Sequence, residues 1–192
     1  MEHVKPKVVL FDLLTALLDS WTLWNHAAGS EQAGRRWRAK YLELTYQCGS
    51  YRPYEDLVTE AADAAGPWPE APGVLSRLRS RGIKIGVVTN CSTDLGRRAA
   101  ATCGVSFDVV ITAEDIGLYK PRIETYNAAL AACGAKADDV LFVAGSSADV
   151  PGASAAGMRV VWHNRVGLAP VAGSISPMNE GRTLDDALRG FL

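Results

Sequence analysis

Short runs of apolar and β-branched residues recur along the chain and alternate with longer stretches that have helical spacing. Nearly continuous apolar runs of this length are typical of strands buried on both faces of a parallel sheet. The predicted strands are Lys7–Phe11, Ile83–Thr89, Asp108–Thr112, Val140–Gly145 and Arg159–His163. The predicted helices are Ala71–Arg81, Thr93–Cys103, Arg122–Cys133 and Asp149–Gly157. The alternation predicts an α/β fold with a doubly wound, Rossmann-like parallel sheet and right-handed crossovers.

One interval, from Ser20 to about Gly66, contains no strand pattern. It holds helical stretches around Trp37–Gln47 and Tyr54–Ala65, and Pro67-Trp68-Pro69 then predicts a stiff return of the chain to the sheet. We therefore predict two units: an α/β core domain of residues 1–19 and 67–192, and a small helical cap subdomain of residues 20–66. The cap follows the first strand directly, so it can cover a site at that strand's end.

Composition narrows the class of protein. Hydrophobic residues make up 48% of the 192 residues and charged residues 21%, which is the balance of a globular protein with one full core. The formal net charge of −1 gives no electrostatic case for binding nucleic acid or an anionic membrane. No apolar stretch approaches the roughly 20 residues of a membrane span, and no signal-peptide pattern begins the chain. These features favour a cytoplasmic protein.

Four scattered cysteines, Cys48, Cys91, Cys103 and Cys133, form no C-x-x-C pair, and too few histidines lie near them for a zinc site. We expect them to be reduced thiols, most of them buried. Cys91 alone has an address near a functional position, beside the Thr89-Asn90 turn.

Candidate chemistry lies at the predicted carboxyl ends of the strands. Asp12 ends the first strand, Thr89 and Asn90 end the second, and Lys120, fixed by Pro121, follows the third. A further acid, Asp149, lies just past the fourth strand. Parallel strands bring such residues to one edge of the sheet, where a lysine beside Asp12 would keep it ionised. Each residue alone is more often structural, but their joint occurrence favours a catalytic site with Asp12 as nucleophile.

These segments resemble the four sequence motifs of the haloacid dehalogenase superfamily. They are Phe11–Asp19, Val88-Thr89-Asn90, Lys120-Pro121 and Val143–Asp149. Within that superfamily the chain most resembles the L-2-haloacid dehalogenases. The subfamily features are the segment Trp37–Glu43, a tyrosine six residues after Lys120, and Trp162–Arg165.

The resemblance implies a two-step displacement at carbon. Asp12 attacks the carbon that bears the leaving group and forms an aspartyl ester, and water activated by Asp149 then cleaves the ester. Lys120 steadies the two carboxylates, and Tyr126 supports that network.

The resemblance also implies the substrate contacts. Thr89 and nearby backbone N–H groups, with Leu13 among the substrate-binding residues, would bind the carboxylate of a small acid. Arg38 and Asn90 would receive the departing halide, because a diffuse guanidinium suits a large, soft anion.

The same motifs lack what a magnesium-dependent phosphatase of this superfamily needs. The second acid that protonates the leaving alcohol is replaced by Leu14, and the carboxylate ligand of the fourth motif is replaced by Gly145. Mg²⁺ prefers oxygen ligands in near-octahedral geometry, and only Asp12 and Asp149 remain. We therefore expect no metal and no cofactor.

Several positions depart from the dehalogenase pattern. That pattern has an aromatic residue, a glycine and a threonine where this chain has Leu14, Thr15 and Ala16. Loss of the threonine is expected to remove a hydroxyl beside the nucleophile, and Thr15 in place of glycine to change the backbone. The fourth motif has Ala144, Gly145 and Ser146 in place of two serines and an asparagine, and the cap is shorter.

Three functions stay open. The first is a metal-independent hydrolase acting on 2-haloacids, or on another electrophilic carbon beside a carboxylate, such as a strained-ring amino acid. The others are a phosphatase with unusual metal ligation and a catalytically weak homologue that serves as a binding or regulatory module. Relatives of this type suggest a homodimer.

Several prominent residues are expected to be structural instead. Asp19 is expected to cap a helix or a turn, Trp162 to pack in the core or at its rim, and Glu114-Asp115 to form a solvated loop. Arg38 and Tyr126 also have structural alternatives, a solvated surface position for the arginine and simple helix packing for the tyrosine.

Overall fold

The structure, a computed structural model, describes residues 4–27, 31–32, 34–35, 38–39, 42 and 67–192. A six-stranded parallel sheet in the order β3-β2-β1-β4-β5-β6 forms its centre. The strands are β1 (Val8–Asp12), β2 (Lys84–Thr89), β3 (Val109–Thr112), β4 (Val140–Ala144), β5 (Arg159–His163) and β6 (Asn179–Gly181). The predicted doubly wound α/β fold is confirmed. The strand order reverses between β1 and β4, and ligands bind at such a point in open α/β sheets.

Helices pack on both faces of this sheet. They are α1 (Ser20–Ala27), α2 (Ala71–Ser80), α3 (Thr93–Ala101), α4 (Ala113–Ile116), α5 (Ile123–Cys133), α6 (Asp149–Ala155) and α7 (Leu184–Ala187), with a 3₁₀ turn at Ala137–Asp139. Left-handed glycines stand just beyond α2, α3, α5 and α6, at Gly82, Gly104, Gly134 and Gly157. A glycine at such a position lets the chain leave the helix without a Cβ clash.

Side-chain alternation along the strands divides the core into two clusters. Val9 and Phe11 of β1 join the cluster that packs on α2, α3 and α7. Val8 and Leu10 join the opposite cluster, which packs on α5 and α6. Strand β1 lies in the middle of the sheet, and both of its faces are apolar and covered. Its last residue, Asp12, is therefore buried at the carboxyl end of a central strand.

The interval that was predicted to form a cap leaves and re-enters the sheet domain at one place. Leu18 and Pro67 form an antiparallel bridge, and the Trp68 N–H donates to the Leu17 carbonyl at 2.8 Å. The predicted helix Tyr54–Ala65 lies outside the described residues, as does most of Trp37–Gln47. The boundary of the cap subdomain at residues 20–66 therefore stays a prediction.

Other expectations are tested directly. Asp19 accepts from the N–H and hydroxyl of Thr22 at the start of α1, as expected of a cap. Glu114 and Asp115 are exposed, as expected, but the expected loop is wrong: they form α4, where Asp115 and Thr112 satisfy each other's backbone N–H in a capping box. Strand β6 and helix α7 are additional elements. Trp162 is buried, as are the free thiols Cys91, Cys103 and Cys133, whereas Cys48 lies outside the described residues. None of the described helices has the length and apolar character that a membrane crossing requires.

Two helical glycines provide a test of the packing between helices and sheet. A Cβ at Gly96 in α3 would lie 2.9 Å from Thr112 Cγ2, whereas a Cβ at Gly73 in α2 meets only Arg77 Nη1, at 3.8 Å. Gly73→Ala is expected to raise the free energy of unfolding by up to about 1 kcal/mol through helix propensity. Gly96→Ala is expected to lower it by about 1–2 kcal/mol through overpacking. Urea unfolding followed by circular dichroism measures both, and equal stabilisation by the two variants would contradict the close approach of α3.

Candidate active site

Asp12 is held at the end of β1 by an unequal set of donors. Its Oδ2 accepts from the Thr15 N–H at 3.1 Å, the Thr15 hydroxyl at 2.5 Å and the Ala16 N–H at 3.3 Å. Within the described part of the chain, its Oδ1 accepts one hydrogen bond, from Lys120 Nζ at 2.7 Å. The tight turn after β1 points these donors back at the carboxylate. One oxygen is therefore fixed by three donors, while the other has capacity left for a reaction partner.

A series of hydrogen bonds between buried side chains connects Asp12 to Asp149 and Tyr126. Lys120 Nζ also donates to Asp149 Oδ2 at 3.2 Å, and the Tyr126 hydroxyl donates to Asp149 Oδ1 at 2.8 Å. Lys120 is 4% exposed and Asp149 2%, so this ion pair is removed from water. The four residues predicted to be catalytic thus form one connected network across β1, α5, α6 and the loop before α5.

Two neighbouring groups fix the lysine and the tyrosine. The Asn90 side chain accepts from the Lys120 N–H at 2.8 Å and donates to the Lys120 carbonyl at 3.3 Å, so it holds the backbone of the lysine from the end of β2. Tyr126 approaches α6 closely because residue 152 is a glycine: a Cβ there would lie 2.7 Å from the tyrosine oxygen. Asn90, predicted to receive halide, is therefore also a positioning group for Lys120.

Burial and charge divide the roles of the two carboxylates. Burial raises the pKa of Asp12, but Lys120 and the Thr15 hydroxyl lower it by a larger amount. The pKa of Asp12 therefore lies below its ordinary value. Burial raises the pKa of Asp149 above its ordinary value, and the nearby Asp12 charge adds to the rise. Burial lowers the pKa of Lys120, but the two carboxylates outweigh it and raise that pKa. Asp12 is thus the ionised partner, and Asp149 is the better proton acceptor.

The turn that carries the donors to Asp12 is itself clamped from behind. Trp68 Nε1 donates to the Thr15 carbonyl at 3.2 Å, and His163 Nδ1 contacts the Ala16 carbonyl at 2.7 Å. A carbonyl only accepts, so His163 carries its proton on Nδ1. Burial lowers the pKa of His163, which keeps the ring neutral. The Thr15–Ala16 peptide is therefore held at both ends, with its carbonyl on Trp68 and its N–H on Asp12.

A cavity of about 30 Å³ lies over this network. Its polar lining includes Asp12, Thr15, Lys120 and Asp149. The other lining residues are Leu14, Arg38, Leu42, Thr89, Asn90, Pro121 and Ser146. All the predicted site residues except Leu13 and Tyr126 therefore border one space; Tyr126 lies behind Asp149, and the Leu13 side chain packs in the core beneath the site.

Arg38 reaches this cavity from the inserted segment. It is 5% exposed, so the structural alternative of a solvated surface arginine is wrong. Its guanidinium carbon lies 4.5 Å from the centre of the Trp21 ring, a cation–π contact. Its buried Nε–H has no hydrogen-bond partner, and its charge has no carboxylate within ion-pair distance, among the described residues. An unpaired buried donor of this kind is suited to an anion.

Thr89 forms a fully buried part of the wall. Its hydroxyl donates to Cys91 Sγ at 3.2 Å and accepts from the Cys91 N–H at 3.4 Å. Burial raises the pKa of the Cys91 thiol to about 12, so Cys91 is a neutral partner of Thr89 and not a nucleophile.

The structure overturns one expectation drawn from the first motif. The hydroxyl expected to be missing beside the nucleophile is present, because Thr15 supplies it from one position earlier in the chain. Thr15 adopts no left-handed backbone, since no non-glycine residue in the described part of the chain has a positive φ. The sequence analysis assigned no site role to Thr15, Trp68 or His163. For Thr15 a signal was available, because a threonine three residues after an aspartate is typical of turns with local side-chain-to-backbone hydrogen bonds.

The fold and this network define a doubly wound α/β domain with a buried, lysine-paired aspartate at the end of its first strand. The family model for haloacid dehalogenase-like hydrolases matches residues 7–157, and the chain belongs to that family.

Curated relatives include dehalogenases and phosphatases. A haloacetate dehalogenase from Moraxella sp. (strain B) is 33% identical over 66% of this chain, and this chain spans 59% of its length. An (S)-2-haloacid dehalogenase from Pseudomonas sp. (strain YL) is 30% identical over 87% of this chain and 85% of its own. A phosphoserine phosphatase from Thermus thermophilus is 34% identical over 57% of this chain and 45% of its own.

Among solved structures, that of an L-2-haloacid dehalogenase superposes with a TM-score of 0.84 at 25% identity. The match covers 98% of this chain and 99% of that one. The similarity therefore extends over the whole fold, beyond the part that the family model matches.

Lys120→Met tests the charge balance of the network. Removing the ammonium leaves two buried carboxylates without the group that pairs them and is expected to lower the free energy of unfolding by about 3–5 kcal/mol near neutral pH. Without Lys120 the pKa of each carboxyl rises in the folded state, so the folded variant takes up protons more readily than the unfolded chain. Its stability deficit is therefore expected to shrink on acidification and to be smaller at about pH 5 than at about pH 8.

The matched control is Lys84→Met, at an exposed lysine that begins β2. It is expected to change the free energy of unfolding by less than about 0.5 kcal/mol at either pH. Urea titrations at both pH values measure the two variants, and a Lys120→Met deficit that does not depend on pH would contradict the ion-pair account.

Proposed function

We propose that this protein is a metal-independent hydrolase that displaces halide from 2-haloalkanoic acids through an ester on Asp12. The observation that carries the proposal is the unequal hydrogen bonding of Asp12: among the described residues, three donors hold Oδ2 and only Lys120 holds Oδ1. The dehalogenases among the relatives support the same class of substrate.

In the first step, Asp12 Oδ1 attacks carbon 2 of the substrate. The new C–O bond forms as the carbon–halogen bond breaks, and the halide leaves with the bonding electron pair. Lys120 keeps Asp12 ionised for this attack. The backbone N–H of Leu13 is proposed to bind the substrate carboxylate, together with the Thr89 hydroxyl, which would turn its proton from Cys91 Sγ to the substrate. Arg38, whose Nε–H has no partner in the part of the chain that the structure describes, is proposed to receive the halide, together with the Asn90 amide.

In the second step, water attacks Asp12 Cγ. Asp149 accepts a proton from that water, as its raised pKa favours. The tetrahedral intermediate collapses with cleavage of the bond between Cγ and the alkyl-bearing oxygen, and the proton passes to the departing alkoxide. The products are the 2-hydroxy acid, halide and one proton, and Asp12 is regenerated with an oxygen from water.

The donor set argues against magnesium-dependent phosphoryl transfer. Lys120 Nζ bridges Asp12 and Asp149, the position a cation between these carboxylates would take. A side chain at residue 145 has no room, because even a Cβ there would collide with Asp12 Oδ2. Displacement of halide needs neither a metal nor an acid at residue 14, because halide leaves without a proton.

The lining of the cavity favours a small acid with an apolar carbon. Leu14, Leu42 and Pro121 provide its apolar side. A substrate with a short alkyl group can place its carboxylate among the donors and its apolar carbon against these residues.

Asp12→Asn tests the nucleophile with L-2-chloropropionate as substrate. Chloride release is expected to fall about 10⁴-fold, because an amide does not supply the attacking oxygen anion. Wild-type protein that is quenched during turnover is expected to carry the alkyl adduct on Asp12 by mass spectrometry. A single turnover in ¹⁸O-water is expected to label Asp12 and leave the product hydroxyl unlabelled.

Asp19→Asn is the matched control, because Asp19 caps α1 outside the network. It is expected to retain chloride release within about 2-fold. Activity that survives Asp12→Asn would remove the mechanism. Phosphate release from p-nitrophenyl phosphate that depends on added Mg²⁺, without any adduct on Asp12, would favour a phosphatase. If neither reaction occurs and no adduct forms, the result would favour a binding module.

A further inference from the structure

Gly145 follows β4 and lies directly against the nucleophile. A Cβ at this position would collide with the Thr15 hydroxyl, Asp12 Oδ2 and the Ala16 nitrogen. Gly145 has no left-handed φ, so its backbone does not require glycine. The requirement is for space, and the groups that use the space are the carboxylate oxygen and its donors.

The Thr15 side chain occupies the space beside Gly145 in a defined way. Thr15 is 2% exposed, and its hydroxyl lies 2.5 Å from Asp12 Oδ2. Asp12 is ionised and can only accept, so the hydroxyl donates. A charge-assisted O–H···O⁻ bond at this distance is among the stronger hydrogen bonds in proteins. Trp68 and His163 hold the turn that carries it.

We propose that Thr15 is a catalytic residue whose hydroxyl, with the N–H groups of Thr15 and Ala16, forms the oxyanion site for hydrolysis of the Asp12 ester, and that Gly145 makes room for it. This inference rests on the proposed function. Relative to the dehalogenase pattern described above, side-chain bulk has moved from residue 145 to residue 15, and the hydroxyl from residue 16 to residue 15.

The three donors act differently in the two steps. During alkylation, Asp12 loses negative charge, so donors on Oδ2 do not accelerate the attack by Oδ1. In the ester, Oδ2 is the carbonyl oxygen, and attack of water on Cγ places a full negative charge on it. Preorganised donors lower the barrier of this step, and loss of one such donor typically costs about 10²–10³ in rate. The Thr15 hydroxyl therefore favours hydrolysis of the ester over its formation.

Thr15→Val and Thr15→Ser separate this role from a packing role. Both are mixed with L-2-chloropropionate, quenched at intervals, and analysed for the Asp12 adduct by mass spectrometry. Thr15→Val keeps the shape and loses the hydroxyl, so it is expected to form the ester at near the wild-type rate and hydrolyse it about 100-fold more slowly. Thr15→Ser keeps the donor and is expected to hydrolyse the ester within about 5-fold of wild type.

Several outcomes would overturn the catalytic role. One is hydrolysis by Thr15→Val at the wild-type rate, and another is an equal loss of both steps in Thr15→Val. A third is a Thr15→Ser variant as slow as Thr15→Val, because the role belongs to the hydroxyl. Absence of any adduct on both wild-type protein and Thr15→Val, with no ¹⁸O label on Asp12 after turnover, would overturn the proposed function and, with it, this role of Thr15.

The steric part has a readout that needs no activity. Gly145→Ala is made in the wild-type protein and in Thr15→Gly, and the melting temperatures of all four proteins complete a double-mutant cycle. Gly145→Ala is expected to lower the melting temperature less in the Thr15→Gly background, where the turn and the Asp12 carboxylate can shift away from the new methyl group. The same shift in both backgrounds would overturn the coupling between residues 15 and 145.

Discussion

The site depends on one ammonium group held between two buried carboxylates. Lys120 Nζ balances Asp12 and Asp149 in a region where an unpaired charge is very costly. This balance keeps Asp12 ionised at the centre of a sheet whose faces are both apolar. The surrounding structure serves the same arrangement: Asn90 fixes the lysine backbone, Tyr126 completes the second carboxylate, and Gly152 admits the tyrosine.

The central strands could be predicted because the feature they require, an apolar run, lies within a few consecutive residues of the sequence. A strand buried on both faces needs an unbroken apolar run, and β1, β2 and β4 each have one. Strand β6, with the sequence Asn179-Glu180-Gly181, lies at the sheet edge, where partial exposure permits polar residues and the apolar signal is lost. Helix α4 was missed because its four residues carry two acids. Their meaning depends on Thr112, whose hydroxyl receives the Asp115 N–H.

The meeting of Asp12, Lys120 and Asp149 also follows from the sequence, since parallel strands bring their carboxyl ends to one edge. The relation between Thr15 and Gly145 does not. It depends on the sideways distance between the turns after β1 and β4, which are 130 residues apart in the chain and adjacent in the sheet. Considered separately, Thr15 and Gly145 are two departures from the dehalogenase pattern. In the structure they are complementary, because the absence of a side chain at Gly145 leaves the space that the Thr15 hydroxyl occupies.

The antiparallel bridge between Leu18 and Pro67 has a consequence for how such proteins diversify. It joins the two ends of the inserted segment at the spacing of neighbouring strands, about 5 Å. A loop whose ends are already closed by the scaffold tolerates changes of length at small entropic cost. The segment between these ends can therefore be shortened, extended or exchanged, while the reacting carboxylate keeps its position and hydrogen bonds. New substrate preferences can arise in the insert without rebuilding the chemistry beneath it.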